Sequence, residues 1–385
     1  MARPLDGIRV LDLTRLLPGP FASLVLADLG AQVDKVEDPH GGDYLRHMPP
    51  QIGDQNAAFL ALNRGKRSVV LDLKHPEGRL ALERVLARYD VLLEQFRPGV
   101  LDRLGLGHAH LRARFPRLVI GAITGYGQSG PLSQRAGHDL DYLARAGVLG
   151  LQGPASGPPQ PPGFQLADVA GGMWCVIGVL AALRARDASG QGAVVDVAMT
   201  DAALPFAMAQ WATLAATGSA VRGGEPLSGG IAPYNTYATK DARYVALGAL
   251  EPKFWRAFCD GVGLEFELSA MMPGPHQITL KARLVEIFAS RTRAEWEAFA
   301  LEKDCCLEPV LEPQELASDP QLRARGLFVE QSTPFGPSPQ LRLPVGDSAA
   351  AAPPPAMGEH TDVILAEAGF SAADIAALRA TGAAR

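Results

Sequence analysis

The chain has 385 residues, enough for one large domain and a smaller one. Hydrophobic residues make up 47% of it and charged residues 20%, a composition typical of globular proteins that excludes a disordered chain. The formal net charge of −5 predicts no nucleic-acid or membrane-surface partner, so an anionic ligand requires a local cluster of Lys and Arg.

The cysteines and the N-terminal residues bear on the compartment. No cysteine pair forms C-x-x-C and no histidine lies at zinc-ligand spacing, which predicts reduced core thiols and no metal site. The N-terminus has no apolar signal core, and the longest apolar run, residues 173–183, is too short to cross a bilayer. We therefore expect a cytoplasmic protein without a membrane partner. The cysteines are Cys175, Cys259, Cys305 and Cys306.

The first half of the chain alternates short β-type runs with helical patterns. Residues 21–29 have helical spacing and Gly30 closes that helix, while residues 76–89 predict another. This alternation predicts an α/β fold with a mainly parallel sheet, which binds ligands at the carboxyl ends of its strands. The predicted strands are residues 8–13, 32–37, 68–73, 91–96, 118–123 and 194–199.

Proline and glycine indicate where a second unit begins. Residues 153–163 form a Pro-rich loop, and a glycine-rich break at 222–230 precedes a hairpin pattern at 234–248. Helical patterns follow, and capping boxes open one of them at Thr292 and a tail helix at Ser371. The predicted organisation is a large domain of residues 1–215 and 326–385, a smaller α+β domain of residues 225–325 and a linker of residues 216–224.

The first strand–helix junction lacks the glycines of a dinucleotide fold. That fold uses G-x-G-x-x-G to bring its backbone close to a pyrophosphate, whereas Gly19 stands here between two prolines. Glu37, at the end of the second strand, resembles a ribose-binding carboxylate, but this signal is weak without the glycines. The junction therefore counts against a nicotinamide enzyme.

Basic residues follow several of the predicted strands. A solvated surface is the usual place for Lys and Arg, and it is the alternative here. A phosphate-binding role is favoured because several separate strand ends would each bring a cation to the same edge of the sheet, where phosphates bind. The residues concerned are Lys35, Arg64, Lys66, Arg67, Lys74, Arg97 and Arg103.

Three further polar segments stand at predicted helix starts. Asp139 fits an N-cap, and His138 beside it fits a cap or a solvent-exposed residue. Asp168 precedes a long apolar helix and Glu251 precedes Pro252, so both also fit caps. A chemical role is the alternative, since the glycines that follow Asp168 would let a ligand approach a helical turn whose amides stabilise an enolate oxygen. The residues alone leave both alternatives open.

Read together, these segments resemble the class III coenzyme A transferase family of CaiB/BaiF type, which also contains the α-methylacyl-CoA racemases. The resemblance covers nearly the whole chain. It is carried by Gly7-Ile-Arg-Val-Leu-Asp-Leu13, Pro18-Gly-Pro20, Ala27-Asp-Leu-Gly-Ala-Gln-Val33, Lys35-Val-Glu37, Asn63-Arg-Gly-Lys-Arg-Ser68, Leu71-Asp-Leu-Lys74, Phe96-Arg-Pro-Gly-Val100, Gly125-Tyr-Gly-Gln-Ser-Gly-Pro131, Ala167-Asp168 and Gly358-Glu-His-Thr361.

The resemblance implies a Rossmann-like large domain, a smaller α+β domain and an interlocked homodimer. In this family the active site lies near the interface between the large domain of one subunit and the small domain of the other. This arrangement would bring Glu251 close to a His138 from another part of the dimer. The implied contacts with coenzyme A are Lys35, Arg64, Leu71, Asp72, Leu73, Lys74, Gln95, Phe96, Arg97, Arg103, Gly137, Asp139 and Tyr142.

The resemblance also bears on the reaction. Transferases of this family use an aspartate at the position of Asp168 as a nucleophile and commonly carry a tyrosine where His138 stands. The racemases carry Gly-His-Asp-x-x-Tyr, matched by residues 137–142, and Gly-Ala-x-Glu-Pro-x-Phe, matched by residues 248–254. Residues 41–46 point the other way, because they resemble the transferase form of the loop after the second strand.

The expected function is therefore racemisation of 2-methylacyl-CoA thioesters. His138, oriented by Glu251, and Asp168 would exchange the α-proton on opposite faces through an enolate. Coenzyme A, as part of the substrate, is the one cofactor expected. The alternative is a CoA-transferase that moves CoA between carboxylic acids through an acyl adduct on Asp168, and a catalytically silent CoA-binding protein is a third hypothesis.

Overall fold

The computed structural model describes residues 3–334, 336–346 and 352–385. Contacts within the chain divide it into two compact units, which we call the large unit and the small unit. The large unit contains the described residues of 1–146, 164–205 and 320–385, and the small unit contains residues 147–163 and 206–319.

This division differs from the predicted domain bounds in three places. The Pro-rich loop belongs to the small unit, where Arg222 donates hydrogen bonds to the carbonyl oxygens of Pro154, at 3.1 Å, and Gly157. The chain also enters the small unit at residue 206, before the predicted linker at 216–224, and returns to the large unit at residue 320 instead of 326.

Within the described residues, the strands and helices have the following bounds. The strands are β1 Arg9–Asp12, β2 Gln32–Glu37, β3 Gln51–Ile52, β4 Gln55–Asn56, β5 Lys66–Val70, β6 Val91–Glu94, β7 Val119–Thr124, β8 Val194–Ala198, β9 Tyr234–Ala238, β10 Tyr244–Gly248, β11 Leu307–Pro309, β12 Phe328–Thr333 and β13 Gly336–Leu341. The α-helices are α1 Pro18–Asp28, α2 Ala57–Asn63, α3 Pro76–Leu86, α4 Val100–Arg103, α5 His108–Arg114, α6 Asp139–Arg145, α7 Leu166–Ser189, α8 Met199–Ala203, α9 Met208–Thr217, α10 Pro252–Val262, α11 His276–Phe288, α12 Arg293–Lys303, α13 Pro320–Ala324, α14 Thr361–Glu367 and α15 Ala372–Ala380. Short 3₁₀ helices lie at Tyr44–His47, Leu149–Leu151, Leu204–Ala207, Pro226–Ser228, Leu268–Met271 and Leu316–Ser318.

The large unit is built on a parallel sheet with the strand order β5-β2-β1-β6-β7-β8. This is the strand order of the Rossmann fold, and it reverses between β1 and β6, the point at which such sheets bind ligands. All residues of β6 and β7 are buried, as expected for strands that are covered on both faces. The predicted α/β fold with a parallel sheet is confirmed.

Strand β5 ends earlier than predicted. It runs over Lys66–Val70, whereas the sequence pattern predicted residues 68–73. After β5, the N–H of Asp72 bonds to the carbonyl of Ala383, so the C-terminal segment takes over the pairing. Residues 71–74 therefore form a loop at the carboxyl edge of the sheet.

Helix α7 is longer than the apolar run of residues 173–183 on which the prediction of no membrane span rested. It has 24 residues and is apolar enough to cross a bilayer by length and composition, and half of its most apolar window is buried inside the protein. Core helices of water-soluble proteins share these properties, so the helix by itself is only a weak indication of a membrane span.

The glycines after Asp168 serve packing. A Cβ on Gly172 would lie 2.7 Å from the carbonyl oxygen of Pro18, and one on Gly171 would lie 2.8 Å from Cγ of Met199. The predicted close approach of a ligand at these glycines is therefore wrong, because α1 and α8 already occupy the space. Their packing fixes the start of α7, which carries Asp168.

The small unit combines an antiparallel sheet, in the order β11-β10-β9, with the helices α10, α11 and α12. Its core is aromatic, with Trp255, Phe258, Phe288 and Trp296 almost fully buried. The capping box at Thr292 is confirmed, since its hydroxyl accepts the N–H of Glu295 and the Glu295 carboxylate accepts the N–H of Thr292. The hairpin predicted at 234–248 is also present.

The packing of α7 against α1 generates a stability prediction. Gly172→Ala gains about 1 kcal/mol of helix propensity, but the new methyl group meets a backbone oxygen that cannot move easily, and overpacking costs about 1–3 kcal/mol. We expect a net loss of stability, measured as a lower midpoint of thermal or urea unfolding. Gly163→Ala is the control, because a Cβ there meets nothing within 4 Å. An unchanged or higher midpoint for Gly172→Ala would contradict this packing.

Candidate active site

A cavity of about 600 Å³ opens at the carboxyl ends of the central strands of the large unit. It lies where the strand order reverses, as the fold predicts. Many of the residues expected to contact coenzyme A line it: Lys35, Leu71, Asp72, Leu73, Lys74, Gln95, Phe96 and Arg97. Others that line it are Leu13, Thr14, Arg15, Leu16, Val36, Glu37, Asp38, Gly42, Asp43, Tyr44, Val100 and Leu104.

A second cavity of about 160 Å³ shares the residues Gln95, Phe96 and Arg97 with the first. It is also lined by Gly137 and Tyr142, two further residues of the predicted set. The segment 95–98, which follows β6, thus borders both cavities. An elongated ligand that occupied both would pass over this segment.

Three cations line the first cavity without forming a salt bridge in the described part of the chain. They are Lys74 and Arg97, which are exposed, and Arg15, which is half-buried. The guanidinium of Arg15 lies 4.7 Å from the ring centre of Tyr44 and 5.9 Å from that of Phe96. Sequence reasoning missed Arg15, although it follows the first strand just as the predicted cations follow theirs.

Four of the predicted ligand cations pair with acids within the protein. Lys66 is buried 3.6 Å from Asp12, and Arg67 lies 2.7 Å from both Asp34 and Glu367. Lys35 borders the first cavity, but its ammonium is buried, lies 2.9 Å from Asp43 and donates to the carbonyl oxygen of Thr14 at 2.6 Å. Arg64 is buried outside both cavities and pairs with Asp28 at 2.7 Å. We correct the predicted phosphate-binding role of these four side chains, because their charges are already paired within the protein. Arg103 is exposed on α4 and lines neither cavity.

The starts of α6 and α7 meet through the side chain of Asp139. Its Oδ1 accepts the backbone N–H of Asp168 at 3.0 Å. His138, the residue before Asp139, is the N-cap of α6, and its own N–H donates to Asp141 at 2.9 Å. His138 thus has the capping, exposed position predicted for it, whereas Asp139 caps α7 and Asp168 is the third residue of that helix. The structure brings the neighbourhoods of His138 and Asp168 together, and the imidazole is exposed.

The carboxyl group of Asp168 has an unusual acidity. Burial, and secondly the carboxylate of Asp139, raise the pKa of Asp168 to about 7. Tyr142, whose hydroxyl donates to the carbonyl oxygen of Gly137, also has its pKa raised to about 12, by burial and then by Asp168. A carboxyl group with a pKa near neutrality can both give and take a proton.

Glu251 lies in the small unit as the N-cap of α10, as predicted. Its side chain is exposed and makes no capping hydrogen bond. The loop before it is held by the N–H of Gly248 on Cys306 O, at 2.8 Å, and by the N–H of Ala249 on Pro233 O, at 2.9 Å. The carboxylate is therefore available to another partner, and its predicted contact with His138 in a dimer stays a prediction.

The thiols are free, and those of Cys175, Cys259 and Cys305 are buried, as predicted for core thiols. Cys306 is exposed, which the sequence did not indicate. Among the described residues, no three His, Cys, Asp or Glu side chains are grouped so as to hold a metal ion.

Comparisons with a family profile, with related proteins and with solved structures all find members of one family. A sequence profile described as CoA-transferase family III matches residues 5–361. The chain is 39% identical to the alpha-methylacyl-CoA racemase of Mus musculus over 96% of this chain and 95% of that protein. It is 33% identical to the succinyl-CoA:glutarate CoA-transferase of Mus musculus, over 95% and 86%. The crystal structure of a CAIB/BAIF family protein from Brucella suis is 31% identical, with a TM-score of 0.83, over 96% of this chain and 100% of that one.

The contact between Asp139 and Asp168 generates a prediction about acidity. Asp139→Asn keeps the oxygen that accepts the Asp168 N–H but removes the negative charge. We expect the pKa of Asp168 to fall from about 7, though not to its ordinary value, because burial is the larger cause of the shift. Carbon-13 NMR of Asp-labelled protein, with Asp168→Asn to assign the signal, measures it. Asp141→Asn is the control, and a pKa unchanged by Asp139→Asn would refute the electrostatic coupling.

Proposed function

The chain belongs to CoA-transferase family III, and from that premise we propose that it racemises 2-methylacyl-CoA thioesters. The observation that carries this proposal is that His138 and Asp168 lie at helix starts joined by Asp139, and that the pKa of the Asp168 carboxyl group is raised to about 7. Racemisation needs an acid and a base whose roles can be exchanged. The higher identity to the racemase than to the transferase is a second support.

In this proposal the nucleotide end of coenzyme A occupies the first cavity. Its phosphates pair with Arg15, Lys74 and Arg97, which form no salt bridge with the described residues. The pantetheine arm passes over residues 95–98 into the second cavity, so that the thioester reaches Gly137 and the start of α6. No other cofactor takes part in the proposed reaction.

The proton then moves between two side chains. One of the pair His138 and Asp168 removes the proton from the α-carbon, the C–H electrons form an enolate, and the other returns a proton to the opposite face. The N–H of Asp168 is already bonded to Asp139. That N–H is therefore not available to the enolate oxygen. This differs from the expectation that the turn after Asp168 would stabilise it.

We also propose an interlocked homodimer in which Glu251 of one chain orients His138 of the other. Large apolar side chains are exposed on both units: Met173, Trp174 and Ile177 on α7 of the large unit, and Met208 and Trp211 on α9 of the small unit. Trp211 is 70% exposed, and exposed groups of large apolar side chains are typical of protein interfaces. These surfaces support association, and the lone carboxylate of Glu251 supports the pairing.

The second candidate is CoA transfer between carboxylic acids, with Asp168 as the nucleophile. It is favoured by the 33% identity to the succinyl-CoA:glutarate CoA-transferase over 95% of the chain. A nucleophilic carboxylate acts in its ionised form, and a pKa of about 7 leaves only part of Asp168 ionised at neutral pH. This acidity suits proton exchange better than acyl transfer.

The reaction is tested with one enantiomer of a 2-methylacyl-CoA in deuterated water. We expect loss of optical purity, measured by chiral chromatography, together with incorporation of deuterium at the α-carbon, measured by mass spectrometry. His138→Gln and Asp168→Asn each lower the rate by about 10²–10⁴-fold, the usual effect of removing an acid–base group.

Retained optical purity without α-deuterium would rule out racemisation. If succinate or another carboxylate then accepted CoA, and hydroxylamine trapped an acyl group on Asp168, the transferase would be the function. His138→Gln separates the two reactions further, because a transferase that relies on Asp168 keeps substantial activity in that variant.

A further inference from the structure

The buried carboxylate of Glu94 connects residues 95–98, which border the two cavities, to His108, which lies outside them. Glu94 ends β6, and its side chain is only 2% exposed. Its Oε2 accepts the backbone N–H of Phe96 at 2.8 Å, and its Oε1 lies 3.0 Å from Nε2 of His108, the first residue of α5. Both oxygens of Glu94 are thus used, one by the segment and one by the helix.

The segment held in this way presents the side chains that border both cavities. Gln95 and Arg97 flank Phe96, the residue whose N–H bonds to Glu94. At its far end, the carbonyl oxygen of Pro98 accepts a hydrogen bond from Gln134 at 3.1 Å. The Oε1 atom of Gln95 is buried and has no hydrogen-bond partner among the described residues, so it can accept one from a ligand N–H group.

The ring of His108 is surrounded by acids. Besides Glu94 on β6, Asp102 on α4 and Asp196 on β8 are close enough to favour its charged form. The hydrogen bond to Glu94 is the main cause that raises the pKa of His108, and it outweighs the opposing effect of burial. The histidine is therefore held as a hydrogen-bond donor to Glu94.

We propose that His108 is a positioning residue for coenzyme A, because its hydrogen bond to Glu94 fixes the main chain at Phe96 and thereby places Gln95 and Arg97 against the ligand. This inference rests on the proposed function, which puts coenzyme A in the two cavities. His108 itself lines neither cavity. It acts through Glu94.

The energetic reason is the burial of Glu94. Without His108, the N–H of Phe96 is the one partner that the carboxylate keeps among the described residues, and a buried charge with too few donors is strongly unfavourable. A shift of the Glu94 side chain toward water relieves this and weakens its hydrogen bond to Phe96. We therefore expect coenzyme A to be positioned less well, while His138 and Asp168, the proton-transferring groups of the proposed reaction, are not altered.

The test compares His108→Ala with His108→Gln in the full-length protein. Calorimetric titration with free coenzyme A should give a dissociation constant raised roughly tenfold in His108→Ala, the size expected for one charge-assisted hydrogen bond. His108→Gln keeps a donor and should restore most of the affinity. In turnover, KM for the acyl-CoA rises in His108→Ala while kcat stays within about twofold.

Matched controls separate this from a general loss of structure. His110 lies on the same helix, is exposed and pairs with Glu83, so His110→Ala should leave coenzyme A binding unchanged. In a Glu94→Gln background, His108→Ala should have little further effect, because its route through Glu94 is already altered.

The outcomes are distinguishable. If the unaltered protein does not bind coenzyme A, the proposed function fails and the inference fails with it. If it binds and His108→Ala binds equally well, or if His108→Gln is as weak as His108→Ala, the inference alone is overturned. Additive effects of His108→Ala and Glu94→Gln would overturn the route through Glu94.

Discussion

The first cavity depends on a cluster of buried charges beside the carboxyl ends of β1 and β2. Lys35 and Lys66 lie there among Asp12, Glu37 and Asp43, and none of these residues is more than 3% exposed. Burial by itself would lower the pKa of Lys35, but the surrounding carboxylates more than offset this effect and raise it. Removing one member of a buried pair costs about 3–5 kcal/mol, because the other charge is left unpaired. Burial and the charge of Lys35 lower the pKa of Lys66 to about 7 in spite of Asp12. The carboxylates therefore stabilise both lysines, whereas the two lysines repel each other.

The cluster also anchors the loop after β2, which forms one wall of the cavity. Asp43 accepts the N–H groups of Leu16 and Leu45, each at 3.1 Å, and Arg46 makes two hydrogen bonds to Glu37, at 2.7 and 2.8 Å. The charges of this cluster are thus paired within the protein. The cations that remain for an anionic ligand are Arg15, Lys74 and Arg97, which lie in the loops after β1, β5 and β6. This separation explains why some strand-end cations face the cavity and others do not.

The sequence predicted the sheet well and the partners of its charged side chains poorly. Strand β2 was predicted with its observed bounds, although four of its six residues are polar or charged. Burial of Arg64 depends on Asp28, and no local pattern shows which distant charges pair. The hairpin of β12 and β13 gave no signal, since prolines interrupt β13. The membership of the Pro-rich loop in the small unit depends on Arg222, far along the chain.

The same limit applies to the site, where the residue types were recognisable and their linkage was not. Local caps explained Asp139 and Asp168 separately, whereas the structure joins them in one hydrogen bond at 3.0 Å. That bond gives Asp139 two roles, since it holds the start of α7 and helps to raise the pKa of Asp168 to about 7. Racemisation requires one group that gives a proton and one that takes it, and the two groups exchange these roles between the two directions. A carboxyl group whose pKa is raised toward neutrality can serve in either role. The contact between Asp139 and Asp168 thus links the start of α7 to the chemistry proposed for Asp168.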